Sequence, residues 1–152
     1  MSCDSLHVVI HIDGGSRGNP GPAGAGVAIR DKSDNSILYK GGVFLGNATN
    51  NVAEYSGLLT GLSAAKELKA ASVELFSDSQ LLVRQMTGEY RVKNAGLKPL
   101  HRRATELADS FENCTFHHIP REENTAADKL ANMAMDAKTN ILDAADDPYA
   151  QD

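Results

Sequence analysis

A chain of 152 residues with 41% hydrophobic and 23% charged content fits one compact domain able to bury a core without disulfides or structural metals. No apolar stretch reaches the ~20 residues a membrane span needs, and the N-terminus MSCDSLHVV carries an acid and no basic n-region; neither anchor nor signal peptide is expected, and the protein should be cytoplasmic. The net charge of −5 by itself disfavours a nucleic-acid partner, since phosphate binding rests on Lys and Arg.

The placement of the charges points the other way. Residues 139–152 hold four Asp and no Lys or Arg, so the remainder carries 15 basic against 16 acidic groups. Arg91, Lys93, Lys98, Arg102 and Arg103 stand between residues 91 and 103 with no acid among them, a stretch that suits a strand of phosphates. The same five residues would also make an ordinary solvated helix face and loop. Cys3 and Cys114 match neither metal-ligand spacing nor a disulfide framework and read as reduced thiols.

From Leu6 to Asp13 apolar residues alternate, which predicts a strand with Leu6, Val8, Ile10 and Ile12 on one face and Asp13 at its C-terminal end. The following GGSRGNPGPAG reads as turn chemistry, and residues 25–30 and 37–45 as two more strands joined by the polar 31–36 turn. Strands this close together predict an antiparallel meander. After Asn50 the period becomes helical through Val52, Tyr55, Leu59, Leu62 and Ala65, ending near Lys69, with Glu54 in the first turn and Thr49 or Asn50 as its cap. A short strand over 72–77 presents Asp78, and a short helix spans 79–87. A further helix over 97–111 leads to a strand at 114–119, stopped by Pro120. The last helix covers 122–138, with Asp128 about two turns in.

Strands that first meander and then alternate with helices give an α/β fold: a mixed five-stranded sheet, three strands antiparallel and two parallel, flanked by helices. Residues 1–138 read as the domain. Residues 139–152 read as an acidic tail without apolar periodicity, expected to be disordered, although Ile141 and Leu142 could pack on the body.

Asp13, Glu54, Asp78 and Asp128 each sit in a distinct motif: IDGGSRGNPGPAG, TNNVAEYSGL, FSDSQLL and REENTAADKLA. Singly, each could be a turn, cap or solvated helix residue. Jointly, with the first and third at the ends of neighbouring parallel strands, they predict one carboxylate cluster at the C-terminal edge of the sheet. Gathering like charges is costly unless a cation neutralises them, and all-oxygen donors suit Mg²⁺, or Mn²⁺ in its place. Two ions ~4 Å apart would give the geometry of phosphodiester hydrolysis.

In this order and spacing the four motifs resemble type 1 ribonuclease H in its short, single-domain bacterial or archaeal form, over roughly residues 6–138. The resemblance implies a monomeric, metal-dependent endonuclease that cuts the RNA strand of RNA/DNA hybrids and leaves 5′-phosphate and 3′-hydroxyl ends. It implies two metal ions, with Asp13 bridging both, Glu54 and Asp78 on the leaving-group side and Asp128 on the nucleophile side. A histidine ten residues before the last Asp assists in many relatives and falls here on His118. In the short-loop subgroup that HHIPREEN resembles, an arginine seven residues before that Asp serves instead, here Arg121, and this is the reading we favour, with His118 the end of a strand. Asn19, Asn50 and Gln80 match the amides that sense the ribose 2′-hydroxyl, and Thr49 a residue that grips a DNA phosphate. Turn and cap roles remain open for all four.

The chain also departs from the family pattern. Asn47 stands where some relatives carry a phosphate-binding Arg, EYRVKNAG replaces the long basic, Trp-rich protrusion, and no hybrid-binding domain is expected before Leu6. Modest affinity, falling steeply with salt, is expected. A catalytically silent hybrid-binding module and a different nuclease of the same broad fold are the competing readings; retention of all four acids disfavours the first, and the Gly-rich turn with its Asn and Gln set disfavours the second.

Overall fold

The computed structural model describes residues 5–143. Strands β1 (Leu6–Ser16), β2 (Gly21–Asp31) and β3 (Ile37–Ala48) form the antiparallel meander. On the other side of β1, strands β4 (Ala70–Ser77) and β5 (Asn113–His118) add in parallel. A sixth strand, β6 (Ile141–Asp143), pairs antiparallel with β3, giving the order β5-β4-β1-β2-β3-β6.

Two expectations are corrected here. The sheet has six strands rather than five, the extra one drawn from the segment read as a tail: Lys138 takes a left-handed conformation that ends the last helix, and Ile141–Asp143 then pairs with Gly42–Lys40. Three residues held through backbone bonds are too few to display a sequence period. The rest of that segment, 144–152, lies outside the described residues. The Gly-rich motif is also mostly ladder rather than turn, since β1 continues to Ser16 and β2 begins at Gly21, leaving only residues 17–20 to reverse the chain.

The helices are α1 (Asn50–Glu67), α2 (Gln80–Met86), α3 (Lys98–Asp109) and α4 (Thr125–Ala137). Alternation along the strands assigns their faces. Val8, Ile10 and Ile12 of β1, Val27 and Ile29 of β2, and Val73 and Leu75 of β4 are buried with Leu58 and Leu62 of α1, while Ala104 and Ala108 of α3 close the same layer. Gly24 and Gly26 of β2 and Gly42 of β3 face the other way, where α4 lies directly on them. One helix layer on each side of the sheet leaves the C-terminal ends of β1 and β4 open between α1 and α4.

Candidate active site

Asp13 and Asp78 are placed by strand pairing alone. Ile12 of β1 is in register with Ser77 of β4, so Asp13, still paired with β2, and Asp78, just past the end of β4, stand side by side. Glu54 comes from α1, which starts at Asn50 because Thr49 caps it, its Oγ1 accepting from the Val52 amide at 3.2 Å. That start puts Glu54 just beyond the first turn rather than within it. Ser79 fixes the carboxylate, donating from Oγ to Glu54 Oε1 at 2.9 Å while accepting from the Leu82 amide at 3.2 Å as the cap of α2.

Asp128 lies in the first turn of α4, not two turns into a longer helix. Residues Arg121–Glu123 form a separate 3₁₀ turn, and Asn124, at φ −118°, breaks the helix between them. The break has a cause. Asn124 is 1% exposed, its Nδ2 donates to the Ile12 carbonyl at 2.8 Å, and its own carbonyl accepts from the Asp128 amide at 3.1 Å. One buried side chain therefore fastens the start of α4 to the residue before Asp13.

The four carboxylates form a connected series. Burial pushes the Asp13 carboxyl up to about 8, reinforced by the charge of Asp78 and by hydrogen bonding and charge from Asp128; the Gly14 amide, 2.9 Å from Oδ1, opposes the shift. Burial likewise raises Glu54 to about 7, with the Ser79 hydroxyl opposing and Asp78 adding to it. Asp78 Oδ2 is buried without a hydrogen-bond partner, and the Arg121 guanidinium Nε stands 4.0 Å away. Such an orphaned oxygen calls for an explanation, and a role as donor to a divalent cation would supply one. Among the described residues no three such side chains are drawn together around one point, so the acids approach in pairs. The donor set is wholly carboxylate oxygen, the type that hard divalent ions take.

Both acids titrate higher in the folded chain than their ordinary values of 3.8 and 4.5, so the native state holds the extra protons. Stability of the metal-free protein should therefore be greatest when both are protonated and decline as pH rises from about 4 to about 8. Thermal melts in EDTA between pH 5 and 8.5 check this, and a melting temperature that rises over that range would contradict it.

An open cleft of ≈480 Å³ is lined by Asp13, Glu54, Asp128, Asn50, Ser79, Arg17 and Arg121. Asn50 Oδ1 accepts from the Ser16 amide at 2.7 Å, and Asn19 Oδ1 accepts from the Asn50 amide at 3.0 Å, so both side chains are oriented by their oxygens and keep their NH₂ groups to donate. Thr49 and Gln80 are exposed at the starts of α1 and α2. His118 is exposed at the end of β5, in register with Ser77, and His117 stacks on Phe76. A second hollow of ≈520 Å³, near α3 and β5, contains Cys114, whose thiol burial raises to about 12 and so renders a poor nucleophile. Cys3 lies outside the described residues.

Sequence reasoning missed Ser79, Asn124 and Arg17. The first two had a signal, Ser next to Asp78 before a helix and Asn four residues before Asp128, but a cap motif does not reveal which distant group it also binds. Arg17 had none.

The family model described as reverse transcriptase-like matches residues 11–134. The bifunctional protein Rv2228c of Mycobacterium tuberculosis is 45% identical over 143 residues, 94% of this chain but 39% of that protein, and ribonuclease HI of Halobacterium salinarum is 42% identical over 83% of this chain and 63% of its own length. The chain thus spans less than two thirds of these relatives. Among solved structures, the N-terminal RNase H domain of Rv2228c superposes with a TM-score of 0.85 at 47% identity, covering 88% of this chain and 96% of that one. LC11-RNase H1, solved in complex with an RNA/DNA hybrid, gives 0.81 at 41% identity, covering 86% and 98%. Sheet order, acid-bearing elements and these matches over nearly the whole described body agree: the chain belongs to the type 1 ribonuclease H family.

Proposed function

We propose that this chain hydrolyses the RNA strand of RNA/DNA hybrids, breaking the P–O3′ bond to leave 5′-phosphate and 3′-hydroxyl ends. The observation that carries the reading is the orphaned, buried oxygen of Asp78 beside the raised carboxyl of Asp13, which together with Glu54 and Asp128 make a donor set for a pair of divalent ions. When bound there, Mg²⁺, or Mn²⁺ in its place, supplies the Lewis acidity that activates a water and stabilises the leaving oxygen. The rest falls to the chain. Asp13 stands between Asp78 and Asp128 and is suited to touch both ions; Glu54, steadied by Ser79, lies on the Asp78 side, and Asp128, fastened through Asn124, on the other. Asn50 and Asn19 present amide donors to the ribose 2′-hydroxyl, with Gln80, exposed at the start of α2 next in sequence to the cleft residue Ser79, assigned the same role, and the exposed Thr49 hydroxyl is free to donate to a DNA phosphate. The hybrid complex of LC11-RNase H1 and the names of the relatives support this substrate. The protein is expected to act in the cytoplasm as a monomer.

A labelled RNA strand annealed to DNA, with RNA duplex and DNA duplex as controls, plus and minus Mg²⁺, tests the proposal. Cleavage of the hybrid's RNA alone is expected; an intact RNA strand with either Mg²⁺ or Mn²⁺ overturns it.

Arg121, close to Asp78 Oδ2, is the proposed fifth participant. Arg121→Ala should lower kcat by about tenfold, ~1.4 kcal/mol, whereas His118→Ala should stay within about twofold. Steady-state kinetics of the two variants decide between them, and the reverse ranking would reassign the role to His118.

A further inference from the structure

An acidic cleft that must admit a polyanion needs cations at its rim, and two cationic residues line this one, Arg121 and Arg17. Arg17 sits in the short β1–β2 reversal, its backbone amide held by the Pro22 carbonyl at 2.8 Å. Its guanidinium reaches across to α4, where Nη1 pairs with Asp136 Oδ1 at 2.8 Å and Nη2 donates to Asn132 Oδ1 at 3.0 Å. Asn132 in turn donates from Nδ2 to the Asp128 carbonyl at 3.0 Å, so the pair is continuous with the catalytic turn of α4. Both partners are substantially exposed, at 45% and 69% of their side chains. An ion pair so exposed is held weakly, and a phosphate offers a guanidinium the same two-oxygen geometry with more charge.

We propose that Arg17 is a phosphate-binding residue for the nucleic-acid substrate and that Asp136 is its resident competitor, a carboxylate holding the guanidinium until a backbone phosphate replaces it. The inference rests on the proposed hybrid substrate and adds a contact and a built-in restraint on affinity. It sets the two partners in opposition: removing the arginine weakens binding, and removing the aspartate strengthens it. A bridge that only braces the loop against α4 would make both changes act in the same direction.

The test is fluorescence anisotropy of a labelled RNA/DNA hybrid in EDTA, where nothing is cleaved, over a series of salt concentrations, with Arg17→Met, Asp136→Asn and the double variant. Arg17→Met should raise Kd about three- to tenfold and reduce the salt slope by about one. Asp136→Asn should lower Kd about threefold in the wild-type background and leave it unchanged when Arg17 is already Met. Equal tightening in both backgrounds would mean general charge removal and overturn the proposal, as would weakening by Asp136→Asn or no effect of Arg17→Met. Melting temperatures of the three variants separate loss of fold from loss of contact. If the wild-type protein neither binds nor cuts the hybrid, the proposed function fails; if it does both while the variants bind alike, only the role of Arg17 fails.

Discussion

Asp13→Asn is expected to abolish hydrolysis, by at least about 10³-fold, while raising the melting temperature of the metal-free protein at pH 8. The two effects share one cause. Asp13 is pressed between Asp78 and Asp128 in a site where burial already disfavours charge, and its carboxyl is pushed up to about 8. The amide keeps nearly the same shape, its Oδ1 can still accept from the Gly14 amide, and its NH₂ can donate toward a neighbouring carboxylate. Relief of burial and like-charge repulsion on the order of 1–2 kcal/mol translates into about 2–8 °C for a domain of this size. At pH 5, where the native Asp13 already carries its proton, the advantage should largely vanish. Millimolar Mg²⁺ should stabilise the wild type by binding the native state, and the variant less. Scanning calorimetry at the two pH values, with and without the ion, reads all of this. A variant that melts below the wild type in EDTA at pH 8, or one that still cuts, would remove the electrostatic account of the site.

How far the sequence reveals a residue's role depends on whether that role is local. Asp13 and Asp78 are legible because a period-two strand runs up to each and parallel pairing sets the two strands side by side, although β1 itself continues past Asp13 to Ser16. Thr49 is legible as a cap for the same reason, its bond to Val52 spanning three residues. Asn124 is not, because its partner, the Ile12 carbonyl, is 112 positions away. The long final helix expected from residue 122 is divided at that side chain, which is why Asp128 falls in a first turn. The Gly-rich motif misleads for a related reason. Glycine reads as a turn signal, yet Gly14, Gly24 and Gly26 are ladder residues whose missing side chains make room for helix backbone on one face or the other. Strand β6 leaves no trace in the sequence because its bonds are to the backbone of β3 and need no apolar pattern.

Those glycines carry the second large prediction, since they set the height of the two helices that deliver Glu54 and Asp128. A Cβ on Gly14 would lie 2.4 Å from the Ala53 carbonyl carbon and 2.6 Å from the Glu54 amide nitrogen, both backbone atoms of α1. On Gly26 it would lie 2.0 Å from the Ala127 carbonyl oxygen and 2.7 Å from the Ala131 amide nitrogen of α4. No side-chain rotation relieves either contact; the helix must move. Gly14→Ala and Gly26→Ala should each cost about 3 kcal/mol or more, at the upper end for overpacking. Because the displaced segments hold Glu54 and Asp128, activity should drop further than stability explains: a shift of ~1 Å in a reacting group costs about 10²-fold. Gly15→Ala is the internal control, one residue along the same strand, where the nearest atom to the new Cβ is Asn50 Oδ1 at 4.0 Å. Its stability should stay within about 0.5 kcal/mol of the wild type. Urea titrations of the three variants, with hydrolysis measured on the fraction still folded, make the comparison. Gly14→Ala and Gly15→Ala unfolding at the same urea concentration would show that α1 does not rest on the strand backbone as closely as described, and that Glu54 reaches the cluster by another route.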